Sequence, residues 1–395
     1  MQENTDAQPG VERRSLTRAL NRIAAMAIFF GLLLLPIAWF GRASFAPHTN
    51  ENRRLEAFPH LSIHWAQDFE RWFSDRYGMR DALVYYGSRL QMARTGLPMN
   101  QQVVVGRDNW LFYDENYTPG HLHFASLYGE DSFLPSDLQI IADNLSRVRK
   151  HLAACHIPFY LVIAPDKQTV YPEKLQMPPP SGATTQADQL DAYLHTADPQ
   201  LRIIDLRKPE IAAKTAQSQE LYYRTDTHWN ELGAFFGYQA IAKRLVHDGV
   251  LADAVGTRLD SYRIRTTPSA GGDIAVNLLD LPGYFPDHAV QLDNTQPRQA
   301  HDISLPGWPP NINNSFRITE NPAASGSLLL YRDSFFDALT PFVAEDFHRI
   351  YSFLGRGIDG NRVRQAHPNA VMLEIVERGL RHLVDRPANL ASACE

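Results

Sequence analysis

Two short segments bring together residue types suited to nucleophilic catalysis. The first reads Tyr222-Tyr223-Arg224-Thr225-Asp226-Thr227-His228-Trp229-Asn230. In an extended chain residues i and i+2 point to the same side, so Asp226 is placed to accept a hydrogen bond from one ring nitrogen of His228. That bond would fix the tautomer and steady the imidazolium formed when the ring takes a proton. The second reads Leu328-Leu329-Leu330-Tyr331-Arg332-Asp333-Ser334-Phe335, an apolar strand running into a polar turn with a helix just after. Ser334 then stands at a strand's carboxyl end, where open α/β sheets bind their ligands. The free N–H groups of the helix start could face an oxyanion, and a serine so placed needs only a base to become a nucleophile. Each piece alone has a plainer reading. A His soon after an Asp arises by chance, and a Ser ahead of a helix is commonly just a cap.

The elements that must position these residues alternate along the chain. Residues 51–96 look helical, with Phe69, Trp72, Phe73 and Tyr77 on one apolar stripe; packing in a core or a helix pair is the plainer role for it than a glycan platform. Val103–Val105 and the segment Gly106 to Tyr113 read as a turn entering a strand. A helix is expected over 135–152, a doubly buried strand over 157–164, a helix over 188–195 and a strand over 201–206. Helices over 209–216 and 231–247 flank the Asp226/His228 segment. Strands over 328–331, 349–354 and 369–375, a helix over 336–347 and a C-terminal helix complete the pattern. Such alternation predicts an α/β fold, with a mainly parallel sheet and helices on both faces. Residues 248–325 are loop-rich and open to two readings, a subdomain or lids over a cleft.

The 395 residues are 44% hydrophobic and 21% charged, with a formal charge of −6. This is an ordinary globular balance with no basic excess for a nucleic-acid partner. The two cysteines, Cys155 and Cys394, leave a bridge open, one buried and one exposed thiol being the simpler expectation. Residues 23–40 are apolar and uncharged, long enough to reach across a hydrocarbon core of ~30 Å. Arg13, Arg14, Arg18 and Arg22 precede them, and Arg42 follows closely. The positive-inside rule predicts a cytoplasmic 1–22, a transmembrane signal anchor at 23–40, and the rest of the chain in the periplasm. Cleavage as a signal peptide is the alternative, although Gly41-Arg42-Ala43 is a poor site. His121-Leu122-His123 has no third ligand at a useful spacing, so no metal is expected, and no cofactor.

Together the two reactive segments resemble the alginate O-acetyltransferase-like branch of the SGNH hydrolases. That branch carries a D-x-H-W signature, here Asp226-Thr227-His228-Trp229, and later a strand ending in a D-S-F-type turn, here Asp333-Ser334-Phe335. Similarity also runs through Asn52-Arg53-Arg54-Leu55, Asp75 to Arg80, Gly106 to Tyr113, Pro165-Asp166-Lys167 with Val170-Tyr171-Pro172-Glu173, and Gly271-Gly272-Asp273. It spans roughly residues 50–380, within one expected SGNH-like acetyltransferase domain over 50–385.

The resemblance implies an SGNH-hydrolase-like sheet in circularly permuted order, because Asp and His precede Ser. It implies Ser334 as nucleophile, His228 as general base and Asp226 as its orienter. Arg332 stands where the wider superfamily has glycine, and either binds substrate or forms a salt bridge. Gly272 is a candidate second oxyanion donor. Lys167 and Tyr171, beyond the strand over 157–164, are candidates to contact an anionic sugar, a surface lysine and a packing tyrosine being the plainer alternative. The implied activity is acetylation of an exported polysaccharide, with a polytopic membrane acyltransferase as partner supplying acetyl groups. Deacetylation with the same triad and a non-catalytic glycan-binding or scaffold role are the rivals.

Overall fold

The computed structural model describes residues 9–38, 56–254, 256–295, 298–312, 315–385 and 390. The chain divides into two compact units, residues 1–96 with 280–282, and residues 97–279 with 283–395.

The first unit carries helices α1 (Pro9–Ala38), α2 (Trp65–Asp75) and α3 (Arg80–Thr95). The side chains of α1 from Leu20 to Leu35 are all exposed. Among the described residues no helix is long and apolar enough to cross a membrane. The expected anchor over 23–40 runs beyond the described residues at its C-terminal end, as the segment 1–22 does at its start. The aromatic stripe of α2 is not a core: no residue of this helix is buried. Its rings stack along the helix instead, Trp65 on Phe69 at 4.9 Å and Phe69 on Phe73 at 6.1 Å, with Phe58 edge-on to Trp72.

The second unit opens with the antiparallel pair β1 (Val103–Val105) and β2 (Leu111–Tyr113). Then follow α4 (Pro135–Ala154), β3 (Phe159–Ala164), α5 (Lys167–Val170), α6 (Gln186–Ala197), β4 (Arg202–Asp205), α7 (Arg207–Ala216) and α8 (Glu231–His247). After these come β5 (Tyr262–Ser269), β6 (Asp287–Asn294), β7 (His301–Ile303), β8 (Phe316–Glu320), β9 (Ser325–Arg332) and α9 (Phe336–Val343). The last elements are β10 (Phe347–Leu354), α10 (Gly360–Ala366) and β11 (Ala370–Val376). A 3₁₀ turn, Glu377–Leu383, stands where a C-terminal helix was expected, and α9 stops four residues short of its expected end.

Seven strands form one sheet in the order β4-β3-β11-β9-β10-β8-β7. The first five are parallel, while β8 and β7 join antiparallel. The sheet is therefore mixed, and the antiparallel strands come from the stretch around 248–325 that resists assignment from sequence. The same stretch contributes the two-stranded pair β5 and β6.

The central strands are buried on both faces, as their near-continuous apolar runs require. In β3, Tyr160, Val162 and Ala164 pack into the core shared with α8 and α9, while Phe159, Leu161 and Ile163 pack into the core shared with α4, α6 and α10. The period of two across a strand sends successive side chains to opposite layers. The helices are set by familiar signals. α4 starts on Pro135 at its first turn, α6 on a capping box between Thr185 and Asp188, and α8 on Asn230, whose side chain accepts from Leu232 and Gly233. The result is a rigid sheet whose parallel strands β3, β11 and β9 end at one edge.

Cys155, one half of the bridge that the sequence leaves open, stands just past α4. The only other cysteine, Cys394, lies outside the described residues.

Candidate active site

Ser334 sits in the turn between β9 and α9 and is solvent-exposed. Asp333 holds this turn. Its carboxylate accepts from the amides of Phe335 and Val376, at 2.9 and 2.7 Å, which ties the end of β9 to the end of β11. Its own amide donates to Glu374, a fully buried carboxyl that burial pushes well above the usual range. Among the described residues, the amide of Ser334 is the one N–H of this Asp-Ser-Phe turn without a hydrogen bond.

Asp226 and His228 sit in a tight loop rather than an extended strand. An isolated bridge between Tyr222 and Trp229 closes this loop, and the amide of Asn230 donates to the Leu221 carbonyl at 2.9 Å. The turn, not a strand pleat, brings the two side chains together: Asp226 Oδ1 accepts from the His228 amide at 2.9 Å and lies 2.7 Å from Nδ1. A carboxylate only accepts, so Nδ1 carries the proton and Nε2 is left as an acceptor. Nε2 lies 2.8 Å from Ser334 Oγ. The structure thus places Asp226, His228 and Ser334 in one hydrogen-bonded line.

The electrostatics suit a base. Burial opposes protonation of His228, but the hydrogen bond and charge of Asp226, with the charge of Asp273, outweigh it and raise the ring above its ordinary value of 6.5. Burial likewise works against ionised Asp226, yet its bond to His228 prevails and its pKa falls to about 2.

Asp273 belongs to this centre although the sequence offered it only as part of a glycine motif. Its Oδ1 accepts from the Thr227 amide and its Oδ2 from the Thr227 hydroxyl, both at 2.6 Å. Oδ2 also lies 3.5 Å from His228 Nδ1, and Thr227 Oγ1 lies 3.1 Å from the same nitrogen. The Asp273 amide in turn donates to Asp226 Oδ2 at 2.8 Å. Burial, then the charge of Asp226, raises the pKa of Asp273. Asp287, the first residue of β6, is the second carboxylate missed: it accepts from the amides of Arg224 and Thr225 and from the Thr225 hydroxyl. Neither lies within 40 residues of the loop it supports, so no local spacing could reveal them. The ligand-type atoms of Asp226, His228 and Asp273 all lie within 4.8 Å of one another, close enough to share a metal ion. The hydrogen bonds above already occupy both carboxylates.

The other candidate residues stand apart from the reacting line. Lys167 is not a surface group for sugars. It is 2% exposed, and its ammonium donates to the carbonyls of Tyr223, Arg224 and Asp226 at 3.1, 3.1 and 2.6 Å. Burial lowers its pKa to about 8, against the pull of Asp226, Asp273 and Asp287. Tyr171 is buried against Trp110, its hydroxyl accepting from the Leu221 amide at 2.8 Å, which is the packing role. Gly272 does not aim at Ser334, because its amide donates to Thr225 Oγ1 at 2.8 Å. It is needed for close approach: a Cβ there would stand 2.2 Å from the Cβ of Asp226. Arg332 is buried and paired with Asp337 at 2.9 Å, also donating to Ser352 and the Asp333 carbonyl. The salt-bridge alternative describes it.

Trp229 closes the arrangement. Its indole N–H donates to the Phe335 carbonyl at 3.0 Å, and the Phe335 ring lies 4.8 Å from that of His228. A cleft of about 360 Å³ opens over Ser334, lined also by His228, Glu231, Arg298, Asp337 and Phe342.

With this geometry in place, comparison with known proteins is decisive for the family. The family described as "SGNH hydrolase-like domain, acetyltransferase AlgX" matches residues 103–303. The chain belongs to this family. The match takes in Asp226, His228 and Asp273 and ends before Ser334. The chain is also 28% identical over 233 residues to a probable alginate O-acetylase AlgJ of Pseudomonas fluorescens, covering 58% of this chain and 53% of that protein. It thus spans about half the length of that relative. A probable AlgJ of Pseudomonas syringae pv. tomato is 28% identical over 295 residues, covering 73% of this chain and 68% of that one. Among solved structures, Bacillus cereus PatB1 superposes with a TM-score of 0.53 at 16% identity, over 71% of this chain and 96% of its own. That likeness is one of fold. As an SGNH-hydrolase-like AlgX family member, the chain has an α/β fold with helices flanking a mixed sheet.

Proposed function

We propose that this protein is an O-acetyltransferase that modifies an exported polysaccharide through Ser334, His228 and Asp226. The line of contacts from Asp226 through His228 Nδ1 and Nε2 to Ser334 Oγ carries the reading. His228 removes the hydroxyl proton as Oγ attacks the carbonyl of an acetyl donor. The oxyanion that forms is met by the free amide of Ser334, and the donor's leaving group departs with the proton from His228. The acetyl-serine is then attacked by a sugar hydroxyl, deprotonated by the same ring, which regenerates Ser334 and releases the acetylated sugar. Base catalysis of this kind typically contributes ~10²–10⁴-fold in rate.

Family membership supports the acyl-transfer class, and the names of the AlgJ relatives support a polysaccharide acceptor. On this reading residues 23–40 anchor the chain in the cytoplasmic membrane with the catalytic unit in the periplasm, where a polytopic acyltransferase supplies acetyl groups. The exposure of Ser334 gives water access to the acetyl-serine, so hydrolysis is the competing outcome when no sugar is bound. The test is an assay with a chromogenic acetyl ester, with and without oligosaccharide. Acetyl transfer that outpaces hydrolysis is expected, and hydrolysis that oligosaccharide never diverts would replace this reading with an esterase.

A further inference from the structure

A second cavity, larger than the cleft over Ser334, lies at the same carboxyl edge of the sheet. Its volume is about 560 Å³, within the ~300–1,000 Å³ usual for small-molecule sites. Its floor is formed by residues just beyond β3 and β11, Asp166, Gln168, Glu377 and Arg378, and its roof by the irregular segment 114–131. Arg378 joins it to the reactive turn, since its guanidinium lies 5.1 Å over the ring of Phe335, the neighbour of Ser334.

Most polar groups of the wall are already used. Asp166 holds Arg378, and Glu377 accepts from the Asp166 amide and the Thr169 hydroxyl. Asp131 takes Arg381 and the Gln186 amide group. Gln168 is the exception. It is 8% exposed and lines the cavity, yet its side-chain amide bonds to no other described residue. Its polar atoms are not sealed off but open into the cavity, where a ligand offering both donor and acceptor would take the place of the water they meet. Exposed Leu122 and the ring of Phe124 supply apolar surface beside it.

Charge narrows the class. Asp131 and Asp166 are offset by Arg381 and Arg378, and burial pushes Glu377 up to about 7, which leaves Asp114 and Glu130 on the wall with no lysine or arginine paired to them among the described residues. A carboxylate entering here meets like charge, which opposes binding. Hydroxyl groups, as donors and acceptors at once, suit such a wall.

We propose that this cavity binds a carboxylate-free sugar unit of the acceptor glycan, at a distance from the unit acetylated at Ser334. The inference rests on the acetyltransferase reading for the identity of the glycan as acceptor. Titration calorimetry on the full chain tests it, with cellopentaose as the neutral probe and pentamannuronate as the anionic one. Cellopentaose should bind the wild-type chain more tightly than pentamannuronate at low salt. Gln168→Leu should weaken cellopentaose by about tenfold, the loss of one buried amide's hydrogen bonds. Thr118→Trp, a change at an exposed wall position that fills the space, should weaken it similarly and decides the matter if the buried substitution impairs folding. Absence of cellopentaose binding, tighter binding of pentamannuronate, or unchanged affinity in Thr118→Trp would overturn the proposal. Acetyl labelling of Ser334 on the same preparations separates the two ideas: binding without labelling counts against acetyl transfer and not against the cavity.

Discussion

The indole N–H of Trp229 donates to the backbone carbonyl of Phe335 at 3.0 Å, so the loop carrying His228 is fastened to the turn carrying Ser334. These residues lie over a hundred positions apart in sequence. The bond explains why a tryptophan follows the histidine: it sets the reach of Nε2 to Oγ from outside the reacting line. Trp229→Phe removes the donor and trims the buried indole to a single ring. It leaves a buried carbonyl unpaired, costing ~1–3 kcal/mol, and should lower kcat for acetyl-ester turnover more than that loss of stability explains. Denaturant melts and kinetics on the same variant would check this; an unaltered kcat would show that the Trp229–Phe335 bond does not set the geometry.

Asp226→Asn should cost on the order of 10⁴ in kcat, the scale found where an orienting carboxylate is replaced by an amide. The pH dependence of stability should change as well. Asp226 ionises near pH 2 in the folded chain against 3.8 for an ordinary aspartate. Its stabilisation is therefore present above about pH 3.8 and lost as pH falls through about 2. Melting temperatures measured across that window should fall less steeply in Asp226→Asn than in wild type.

Asp273 should act as a positioning residue whose signature is a pH profile. His228 must be neutral to act as base, and its pKa is raised above 6.5, so the acid limb of the rate should lie above that value. Removing the Asp273 charge in Asp273→Asn removes one of the causes of the rise. The limb should then move to lower pH while activity persists on the plateau. An unmoved limb would reduce Asp273 to a purely structural support for Thr227.

Lys167→Met should damage the fold before it damages sugar affinity. Three carbonyls of the Tyr223–Asp226 segment lose their common donor, and breaking a buried charged contact of this sort costs ~3–5 kcal/mol. A raised KM for glycan at unchanged stability would instead restore the surface-contact reading of this lysine.

Gly272→Ala should be inactive though conservative, because the new methyl group would stand 2.2 Å from the Asp226 Cβ and must displace the residue that orients His228. Circular dichroism should stay native while turnover falls. Wild-type turnover would contradict the close packing of the two loops.

The residues of the proposed triad stood out in the sequence because the signal is local: a carboxylate two positions before a histidine, and a serine where an apolar strand stops. The doubly buried strands were legible too, since runs such as Phe159–Ala164 leave no other reading. What escaped has physical causes. Strand β5 alternates exposed and half-buried positions and contains Pro268, so its periodicity is faint, and β8 joins the sheet antiparallel after a long irregular stretch. Lys167 reads as a surface residue because lysines are seldom buried; only the fold shows the three carbonyls that compensate it. Asp226 and His228 were brought together for the wrong reason, a strand pleat, when a closed loop places them.

Intact-mass analysis after exposure to an activated acetyl ester tests the central claim most directly, with wild type and Ser334→Ala run side by side. The account predicts one acetyl adduct in the wild type, mapped to Ser334 and absent from the variant. Equal labelling of both proteins, or no labelling of a folded wild type, would contradict it.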